Sequence, residues 1–371
     1  MTEIFLTIFF ISILLFFLGS GVWVAISMIG VSSLGMMLFT SRPVGDAMAT
    51  TIWGTSSSWT LTALPLFVWM GEILFRTKLS ENLFKGLSPW MQRLPGGLIH
   101  VNVVGCALFA AISGSSAATV ATVGKMSIPE LRKRNYPEKI LLGSLAGSGT
   151  LGLLIPPSII LIIYGVTVQE SIAKLFMAGI LPGIMIAIIF MFYVICWSLI
   201  NKNQMPKSDE NFSFLEKLSR SKQLLPVIIL ILGVIGSIYT GIATATEAAS
   251  LGVLGALVLS FFQKSLTIKT FKQSLLGATK TSCMIAFILA GSSFLSLAMG
   301  FTGLPRNLAI WIESMELSPY LLIFVLTIFY IILGMFLDGI SAVVLTMAII
   351  EPMIRQAGFD MIWFGIFLVV V

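Results

Sequence analysis

The stretches AISGSSAATVATVG (111–124) and GMFLDGISAVVLT (334–346) decide how this sequence folds, because each places Gly and Ser in the middle of a long apolar run. The surrounding runs, about 97–130 and 318–354, are longer than the roughly 20 residues that one crossing of the bilayer requires. Non-helical backbone at membrane depth is tolerated only where protein buries it or where it lines a cavity. We therefore predict that each run is a re-entrant helical hairpin, which returns to the side from which it entered.

The composition excludes an ordinary soluble domain. Of the 371 residues, 57% are hydrophobic and 10% are charged, whereas soluble domains carry about 25% charged residues. The first apolar run, 4–18, has no basic residue before it, so we expect no removable signal peptide. The net charge of +6 does not indicate nucleic-acid binding, because the basic residues lie between apolar runs.

The apolar segments predict an all-α polytopic membrane protein. Segments of a length suited to crossing are 3–20, 22–40, 55–75, 174–200, 224–242, 245–262 and 273–300. A further run, 137–167, is interrupted by SGTLGLLIPPS (148–158), which predicts a discontinuous helix. The three cysteines are scattered inside apolar runs and are predicted to be small core residues: Cys106, Cys196 and Cys283.

The distribution of basic residues supports the re-entrant hairpins. If both hairpins return to their own side, 16 of the 22 Lys and Arg residues lie on one side, in segments 76–95, 131–139, 201–223 and 263–272. The positive-inside rule makes that side cytoplasmic and the N-terminus periplasmic. If either hairpin crossed completely, every later loop would change sides and the bias would disappear.

The two hairpins also align with each other, which predicts an inverted repeat. The aligned pairs are Gly114/Gly339, Ser116/Ser341 and Ala117/Ala342, with a proline near the end of each second arm, Pro129 and Pro352. The first hairpin opens to the cytoplasm and the second to the outside. Many secondary transporters are built in this way, with their sites near the midplane where the repeats meet.

These elements divide the chain into five predicted parts. Residues 1–96 hold scaffold helices and an amphipathic arm (79–94) of repeat 1, and 97–168 hold the first transport-domain hairpin and the broken helix. Residues 169–223 are a connecting helix and a cytoplasmic linker, 224–317 the scaffold helices of repeat 2, and 318–371 the second transport-domain hairpin with the start of a truncated broken helix.

The first hairpin tip carries groups that suit a hard cation. Where the helix stops and restarts, at Ser113, Gly114, Ser115, Ser116 and Ala117, it exposes carbonyl and N–H groups. Carbonyl and hydroxyl oxygens suit Na⁺, and helix N-termini attract carboxylates. The alternative is close packing of helices through small residues.

The interruption at 148–158 is the second candidate. Pro156 and Pro157 remove two backbone donors, so the helix must unwind. The freed carbonyls around Ser148, Gly149 and Thr150 are expected to complete a cation site with the first tip. A simple proline kink is the alternative.

Acidic residues within apolar runs are functional candidates, because a charge at the bilayer centre costs at least about 2.5–3.5 kcal/mol on insertion scales. Asp338 is the acid at the second tip, where it can serve as an ion ligand, as a helix N-cap, or as both. Glu247 is expected to cap its helix together with Thr244 or Thr246. The single histidine, His100, is expected to reach toward the interface.

Together, AISGSSAATVATVG, SGTLGLLIPPS, GIATATEAASLGV and GMFLDGISAVVLT resemble the large membrane subunit of tripartite ATP-independent periplasmic (TRAP) transporters. The resemblance runs along the whole chain, with four motifs in order. It implies an elevator-type transporter driven by Na⁺, with two partners: a small four-helix membrane subunit and a periplasmic binding protein that delivers an organic acid.

The resemblance also assigns ion sites. It places the first Na⁺ site on 113–117 with 148–150, and the second on Gly334 and Asp338, Gly339 and Ser341 with a second Pro-Pro break. The Na⁺ ligands expected from side chains and backbone are Ser113, Ser115, Ser116, Gly149, Asp338 and Ser341. The sequence ends at Val371 before a second Pro-Pro pair, so we expect it to be a piece of a longer chain.

Other classes of protein fit the sequence less well. An ATP-driven permease would need a separate ATPase subunit, because the sequence has no G-x-x-x-x-G-K-[ST]. A channel would need a continuous polar pore, and an intramembrane enzyme a nucleophile with its base, or a metal set. No cofactor is expected beyond Na⁺ as coupling ion. C4-dicarboxylates, sialic acid and other acids remain open as substrates, as does transport without a binding protein.

Overall fold

The computed structural model describes residues 2–77, 79–206, 212–303, 307, 310, 318–335 and 337–371, with the backbone alone for 2–8 and 79–81. Every regular element in these ranges is helical. The α-helices of the first half are α1 (Thr2–Gly19), α2 (Val24–Phe39), α3 (Val44–Ser56), α4 (Ala63–Phe75), α5 (Leu79–Met91), α6 (Ile99–Ser113), α7 (Ser116–Lys133), α8 (Glu138–Gly149), α9 (Leu151–Leu154), α10 (Ile159–Thr167) and α11 (Ile172–Ile200). Those of the second half are α12 (Phe214–Ser221), α13 (Leu225–Tyr239), α14 (Ala245–Phe262), α15 (Ile268–Thr302), α16 (Pro319–Gly334), α17 (Gly339–Gln356) and α18 (Met361–Val370).

Most predicted spans are confirmed as helices to within a few residues. The helices α1, α2, α11, α13, α14 and α15 coincide with predicted segments. Both predicted hairpins are pairs of helices with a break at the Gly/Ser cluster, α6–α7 and α16–α17. By length and composition, five helical stretches of the described residues can cross a membrane, or seven if each of two bent pairs counts as one span. One of the five is Glu138–Thr167, which comprises α8, α9 and α10.

The predicted span 55–75 was wrong at its start. The structure has two helices there, α3 and α4, joined by a 3-10 turn at Trp59–Thr62 and bent by 55°. The first of them was missed because it contains Asp46 and several Thr, Ser and Gly residues and buries none of its side chains. Hydropathy alone does not detect such a helix, since it scores apolar length.

The predicted cytoplasmic linker, 201–223, is partly helical. It contains the short helix α12, which begins with a capping box: Ser213 Oγ accepts from Glu216 N, and the Glu216 carboxylate accepts from Ser213 N. The sequence pattern S-x-x-E is a helix start signal that the charge-based interpretation of this segment passed over.

The described helices form two compact units. One unit contains Met1–Leu61, Ile162–Ser171 and Thr281–Val371, and we call it the outer-segment unit because it includes both ends of the chain. The other contains Thr62–Leu161 and Ile172–Lys280, and we call it the central-segment unit. The domain boundaries predicted from the sequence stay a prediction.

The core of the central-segment unit is built on α4 and α6. Gly252 lets α14 approach α4, because a methyl group at this position would lie 2.5 Å from Met70 Sδ. Phe67 of α4 packs edge-to-face on Phe176 of α11, with ring centroids 6.0 Å apart. Tyr239 at the end of α13 donates to the Phe176 carbonyl at 3.1 Å. These contacts fix the helices around which the first hairpin packs.

In the outer-segment unit, α15 packs on α2 and α17. Met36, Phe294 and Ala298 form a fully buried cluster. Ser292 of α15 donates to the Val344 carbonyl of α17 at 2.6 Å, and both groups are buried. Within the second hairpin, the hydroxyls of Tyr330 and Thr346 are 2.8 Å apart. A buried hydroxyl without such a partner would be costly, so these bonds select one packing of the helices.

The amphipathic arm predicted at 79–94 is helix α5, and α12 packs on it. Trp90 Nε1 donates to Ser221 Oγ at 2.7 Å, and the Lys217 ammonium lies 5.5 Å from the centre of the Trp90 ring. Leu224 fills the space beside Gly86, where a methyl group would lie 2.6 Å from Leu224 Cγ. The charged segment is thereby tied to α5 by apolar packing as well as by polar bonds.

We expect Leu224→Ala to lower the free energy of unfolding by about 2–5 kcal/mol, because it opens a cavity beside Gly86. The matched control is Leu215→Ala on α12, where the leucine is 77% exposed and little packing is lost. Thermal unfolding of the purified protein in detergent measures both. Equal melting temperatures for the two variants would contradict the docking of this segment on α5.

Candidate ion site at the first helix break

The turn between α6 and α7 depends on Gly114. Its φ is +59°, in the left-handed region that favours glycine, and its N–H donates to the Ala110 carbonyl at 3.0 Å. Ser115 then caps the N-terminus of α7, with its Oγ 3.5 Å from Ala118 N. The hairpin tip is therefore a helix C-cap followed at once by an N-cap.

The predicted break at 148–158 is present and packs against this tip. Helix α8 ends at Gly149, the single turn α9 follows, and α10 begins only at Ile159. Pro156 and Pro157 occupy the non-helical segment between α9 and α10. Ile159 N donates to the Gly114 carbonyl at 3.1 Å, so one break supplies a hydrogen-bond partner to the other.

Two glycines allow the close approach of these backbones. A methyl group at Gly152 would lie 2.8 Å from the Ser115 carbonyl oxygen, and one at Gly114 would lie 2.6 Å from the Pro157 carbonyl oxygen. Neither backbone atom can move aside as a flexible side chain can. Any larger residue must therefore push the tip and the break apart.

A cluster of three oxygens lies at the tip. Ser113 Oγ is 2.9 Å from Thr119 Oγ1, Thr119 Oγ1 donates to the Ser115 carbonyl at 2.7 Å, and Ser113 Oγ is 3.3 Å from the same carbonyl. Thr119 is fully buried and Ser113 is 6% exposed. Neutral oxygens in this arrangement are the type of ligand that a hard monovalent cation prefers.

The other residues predicted for the first site lie around this cluster. Ser116 and Ala117 form the first turn of α7, and a methyl group at Gly149 would overlap the Val120 side chain of the same helix. Ser148 is fully buried and donates to the Ser144 carbonyl. The structure thus brings 113–117 together with 148–158.

The hydroxyl of Thr150, like that of Ser148, bonds to a carbonyl of helix α8. Thr150 is exposed, and its hydroxyl donates to the Gly147 carbonyl at 2.7 Å. Its expected contribution as an unwound backbone carbonyl is independent of that hydroxyl and stays a prediction.

The second break separates α16 from α17 in the outer-segment unit. Helix α16 ends at Gly334, which is exposed, and α17 begins at Gly339. Asp338 caps α17, with its Oδ2 3.3 Å from Ser341 N, and Ser341 is 3% exposed. The N-cap role that the sequence allowed for Asp338 is confirmed, while its role as an ion ligand stays a prediction.

Two further expectations were tested by the geometry. Glu247 does cap its helix: it forms a capping box with Thr244, whose N–H and hydroxyl both lie 2.8 Å from the carboxylate. The interpretation of His100 was wrong. Its side chain is fully buried, with Nε2 2.8 Å from the Pro95 carbonyl, so it anchors the start of α6 and does not reach toward an interface.

Three residues of this region were not predicted from the sequence: Asn102, Thr119 and Gly152. Asn102 is fully buried and donates to Ser144 Oγ at 3.0 Å, which ties α6 to α8 below the break. The sequence does contain a clue to Thr119, because this residue stands one helical turn after Ser115 in the quoted motif. Gly152 is recognisable as the second glycine of SGTLGLLIPPS. Its contact with Ser115 could not be predicted, because the two residues are far apart in the sequence.

Paired helix breaks within a strongly apolar helical chain place the protein in the class of integral membrane proteins with discontinuous helices. Residues 10–371 match the family model of the tripartite ATP-independent periplasmic transporter, DctM component. The chain belongs to this family.

Three curated relatives illustrate the similarity. The C4-dicarboxylate TRAP transporter large permease protein DctM of Pseudomonas aeruginosa is 32% identical over 339 residues, which cover 91% of this chain and 78% of the relative. The 2,3-diketo-L-gulonate TRAP transporter large permease protein YiaN of Escherichia coli is 31% identical over 330 residues, 87% and 76% of the two chains. The isethionate TRAP transporter permease protein DctMQ of Oleidesulfovibrio alaskensis is 30% identical over 356 residues, 95% of this chain and 55% of the relative.

We expect Gly152→Ala to lower the free energy of unfolding by about 1–3 kcal/mol, because the added methyl group meets the backbone of Ser115. The matched control is Gly143→Ala in α8, where a methyl group would meet nothing within 4 Å. Thermal unfolding in detergent distinguishes them. If Gly152→Ala is as stable as Gly143→Ala, the close contact between the tip and the break does not exist.

Proposed function

We propose that the chain is the ion-driven membrane subunit of an importer of organic acids, a secondary transporter that uses a Na⁺ gradient. The observation that carries this proposal is the oxygen cluster of Ser113, Thr119 and the Ser115 carbonyl, held by the contact between two helix breaks. The family supports transport as the activity, and the names of the relatives support C4-dicarboxylates and related acids as the substrate class.

The first Na⁺ site would use main-chain and hydroxyl oxygens. In the structure Thr119 donates to the Ser115 carbonyl and lies close to Ser113 Oγ, so these groups satisfy one another. A bound Na⁺ would take the place of those hydrogen bonds, with Ser115, Ser116 and the carbonyl of Gly149 as further ligands. Ion binding at such a site would exchange hydrogen bonds for contacts with the ion, and no group would change its protonation state.

The second Na⁺ site would lie at the break between α16 and α17. Asp338 supplies a carboxylate there, Gly334 and Gly339 supply backbone carbonyls, and Ser341 supplies a hydroxyl. Because Asp338 already caps α17, ion binding and the start of the helix share one side chain. H⁺ coupling through Asp338 is the alternative to Na⁺ at this site.

The partners follow from the same proposal. A soluble periplasmic binding protein would deliver the acid, and a small four-helix membrane subunit would associate with this chain. The isethionate relative DctMQ supports the small membrane subunit as a partner. The match to this chain covers only 55% of that relative, which leaves room for a further subunit in the same polypeptide. We place the protein in the bacterial inner membrane with its N-terminus in the periplasm, since 16 of 22 basic residues then face the cytoplasm.

The transport movement would be of the elevator type. In that mechanism the two hairpins and the broken helix move together as the transport domain, while the scaffold helices stay in place. The arm α5 and its partner α12 would connect the two parts at the cytoplasmic surface. Transport without a binding protein, by a Na⁺- or H⁺-coupled organic anion transporter, is the alternative.

Uptake of labelled organic acids into proteoliposomes tests the proposal, with a C4-dicarboxylate and sialic acid among the acids offered. The native permease with its partner subunits should accumulate the acid only with an inward Na⁺ gradient and only with the binding protein present. Uptake that survives collapse of the Na⁺ gradient but requires ATP would reject the proposal. Uptake that needs Na⁺ but no binding protein would favour the alternative.

Single substitutions test the ligands. We expect Ser115→Ala and Asp338→Asn each to raise the Na⁺ concentration for half-maximal uptake by about tenfold, a cost of about 1.4 kcal/mol in ion affinity. Asp338→Asn keeps a residue that caps helices and removes only the charge.

Matched controls separate ion binding from helix capping. Asp360→Asn removes the charge from another N-cap, whose Oδ1 is 2.9 Å from Trp363 N. Ser318→Ala removes the hydroxyl that caps α16, whose Oγ is 3.3 Å from Leu321 N. Both controls should leave the Na⁺ dependence unchanged. If the Ser115 and Asp338 variants behave like the controls, the tips are packing features and not ion sites.

A further inference from the structure

The outer-segment unit contains a cavity of about 560 Å³ that no predicted site uses. Three segments line it: 54–60 at the end of α3, 165–170 after the Pro-Pro break, and 289–296 on α15. Its volume lies within the range of about 300–1,000 Å³ that is usual for small-molecule sites. The lining differs from the rest of this apolar chain, because it is composed mainly of Ser, Thr and Gly.

Five hydroxyl side chains of the lining have no hydrogen bond to another group within the described ranges. They are Thr55, Ser58 and Thr60 from one side and Ser293 and Ser296 from α15. By contrast, most other Ser and Thr hydroxyls of the helices donate to a carbonyl one turn back, as Thr279 does to Leu275 at 2.8 Å. The five hydroxyls are therefore available to bond a ligand or water.

The charge of the lining restricts the ligand. Among the described lining residues, Glu170 is the only charged one. Its carboxylate lies 3.8 Å from the Arg355 guanidinium, which is also paired with Glu351 at 2.9 Å and donates to the Val168 carbonyl at 3.2 Å. A substrate carboxylate beside Glu170 would be repelled, whereas a substrate hydroxyl can donate to it.

We infer that this cavity binds the hydroxylated part of the transported acid, and that the substrate is a polyhydroxylated monocarboxylate of the sugar-acid type. The inference rests on the proposed function, which it deepens by naming the substrate class. Ser and Thr hydroxyls and the Glu170 carboxylate bond the hydroxyl groups, and the single carboxylate of the substrate lies outside the cavity. Acids without hydroxyls cannot form these bonds, so the site favours hydroxylated acids over them.

Direct binding to the permease tests the inference, because uptake would also report the choice made by a binding protein. The native permease is purified in detergent with its membrane partner, at constant Na⁺ and ionic strength and without binding protein. Ligand stabilisation against thermal unfolding is measured for succinate, malate, tartrate and gluconate. We expect affinity to rise with the number of hydroxyls, with gluconate at least tenfold above succinate.

Removing hydroxyls from the cavity should remove this preference. The double variant Ser293→Ala with Ser296→Ala is expected to lower gluconate affinity at least tenfold and to leave succinate unchanged. Thr279→Val is the matched control on α15, since its hydroxyl is bonded within its own helix. If the double variant unfolds, Ser58→Ala in the turn between α3 and the 3-10 helix replaces it, with an expected loss of about threefold.

The outcomes separate the two proposals. A flat affinity series, or a preference that survives loss of the cavity hydroxyls, shows that the cavity holds only water and overturns the inference. Na⁺-driven uptake would then still support the proposed function. If no acid is taken up under a Na⁺ gradient although gluconate stabilises the protein through Ser293 and Ser296, the proposed function fails and the binding site stands.

Discussion

The first half of the molecule depends on the hydrogen bond from Ile159 N to the Gly114 carbonyl. A helix that stops inside an apolar bundle leaves donors and acceptors without partners, and each costs free energy when it is buried. Here the carbonyl freed at one break accepts a hydrogen bond from an N–H group freed at the other. The hairpin tip and the Pro-Pro break are therefore parts of one structure, in which the glycines at 114 and 152 let the backbones meet.

The hydroxyl groups of the outer-segment unit fall into two groups: some bond across helices, and others line the cavity without such a bond among the described residues. Ser292, Tyr330 and Thr346 have hydroxyls bonded across helices, and they fix how α15, α16 and α17 pack. Ser293 is next to Ser292 in the sequence, and both line the cavity, but the Ser293 hydroxyl has no bond to another group among the described residues. Neighbouring serines on one helix thus differ in their bonding, because successive residues point about 100° apart and only Ser292 reaches a carbonyl of α17.

The sequence predicted the helices well and their mutual contacts poorly. Apolar length identified α11, α14 and α15, and the Gly/Ser clusters identified both breaks, because these signals are local. Helix α3 was missed since it is short and polar, and the buried position of His100 was missed since burial depends on residues far away in the chain. That 113–117 meets 148–150 was predicted from chemistry, whereas the hydrogen bonds of Thr119 to Ser113 and to the Ser115 carbonyl were seen only in the structure.

The contact between Gly152 and the Ser115 carbonyl shows how a cluster of main-chain oxygens constrains a sequence. Main-chain oxygens are the same in every residue, so a ligand of this kind leaves no characteristic letter at its own position. The constraint falls instead on the residue packed against that oxygen, which must be glycine because only the smallest residue fits. Glycines around a helix break therefore carry the sequence information that acidic or histidine ligands carry in metal sites built from side chains.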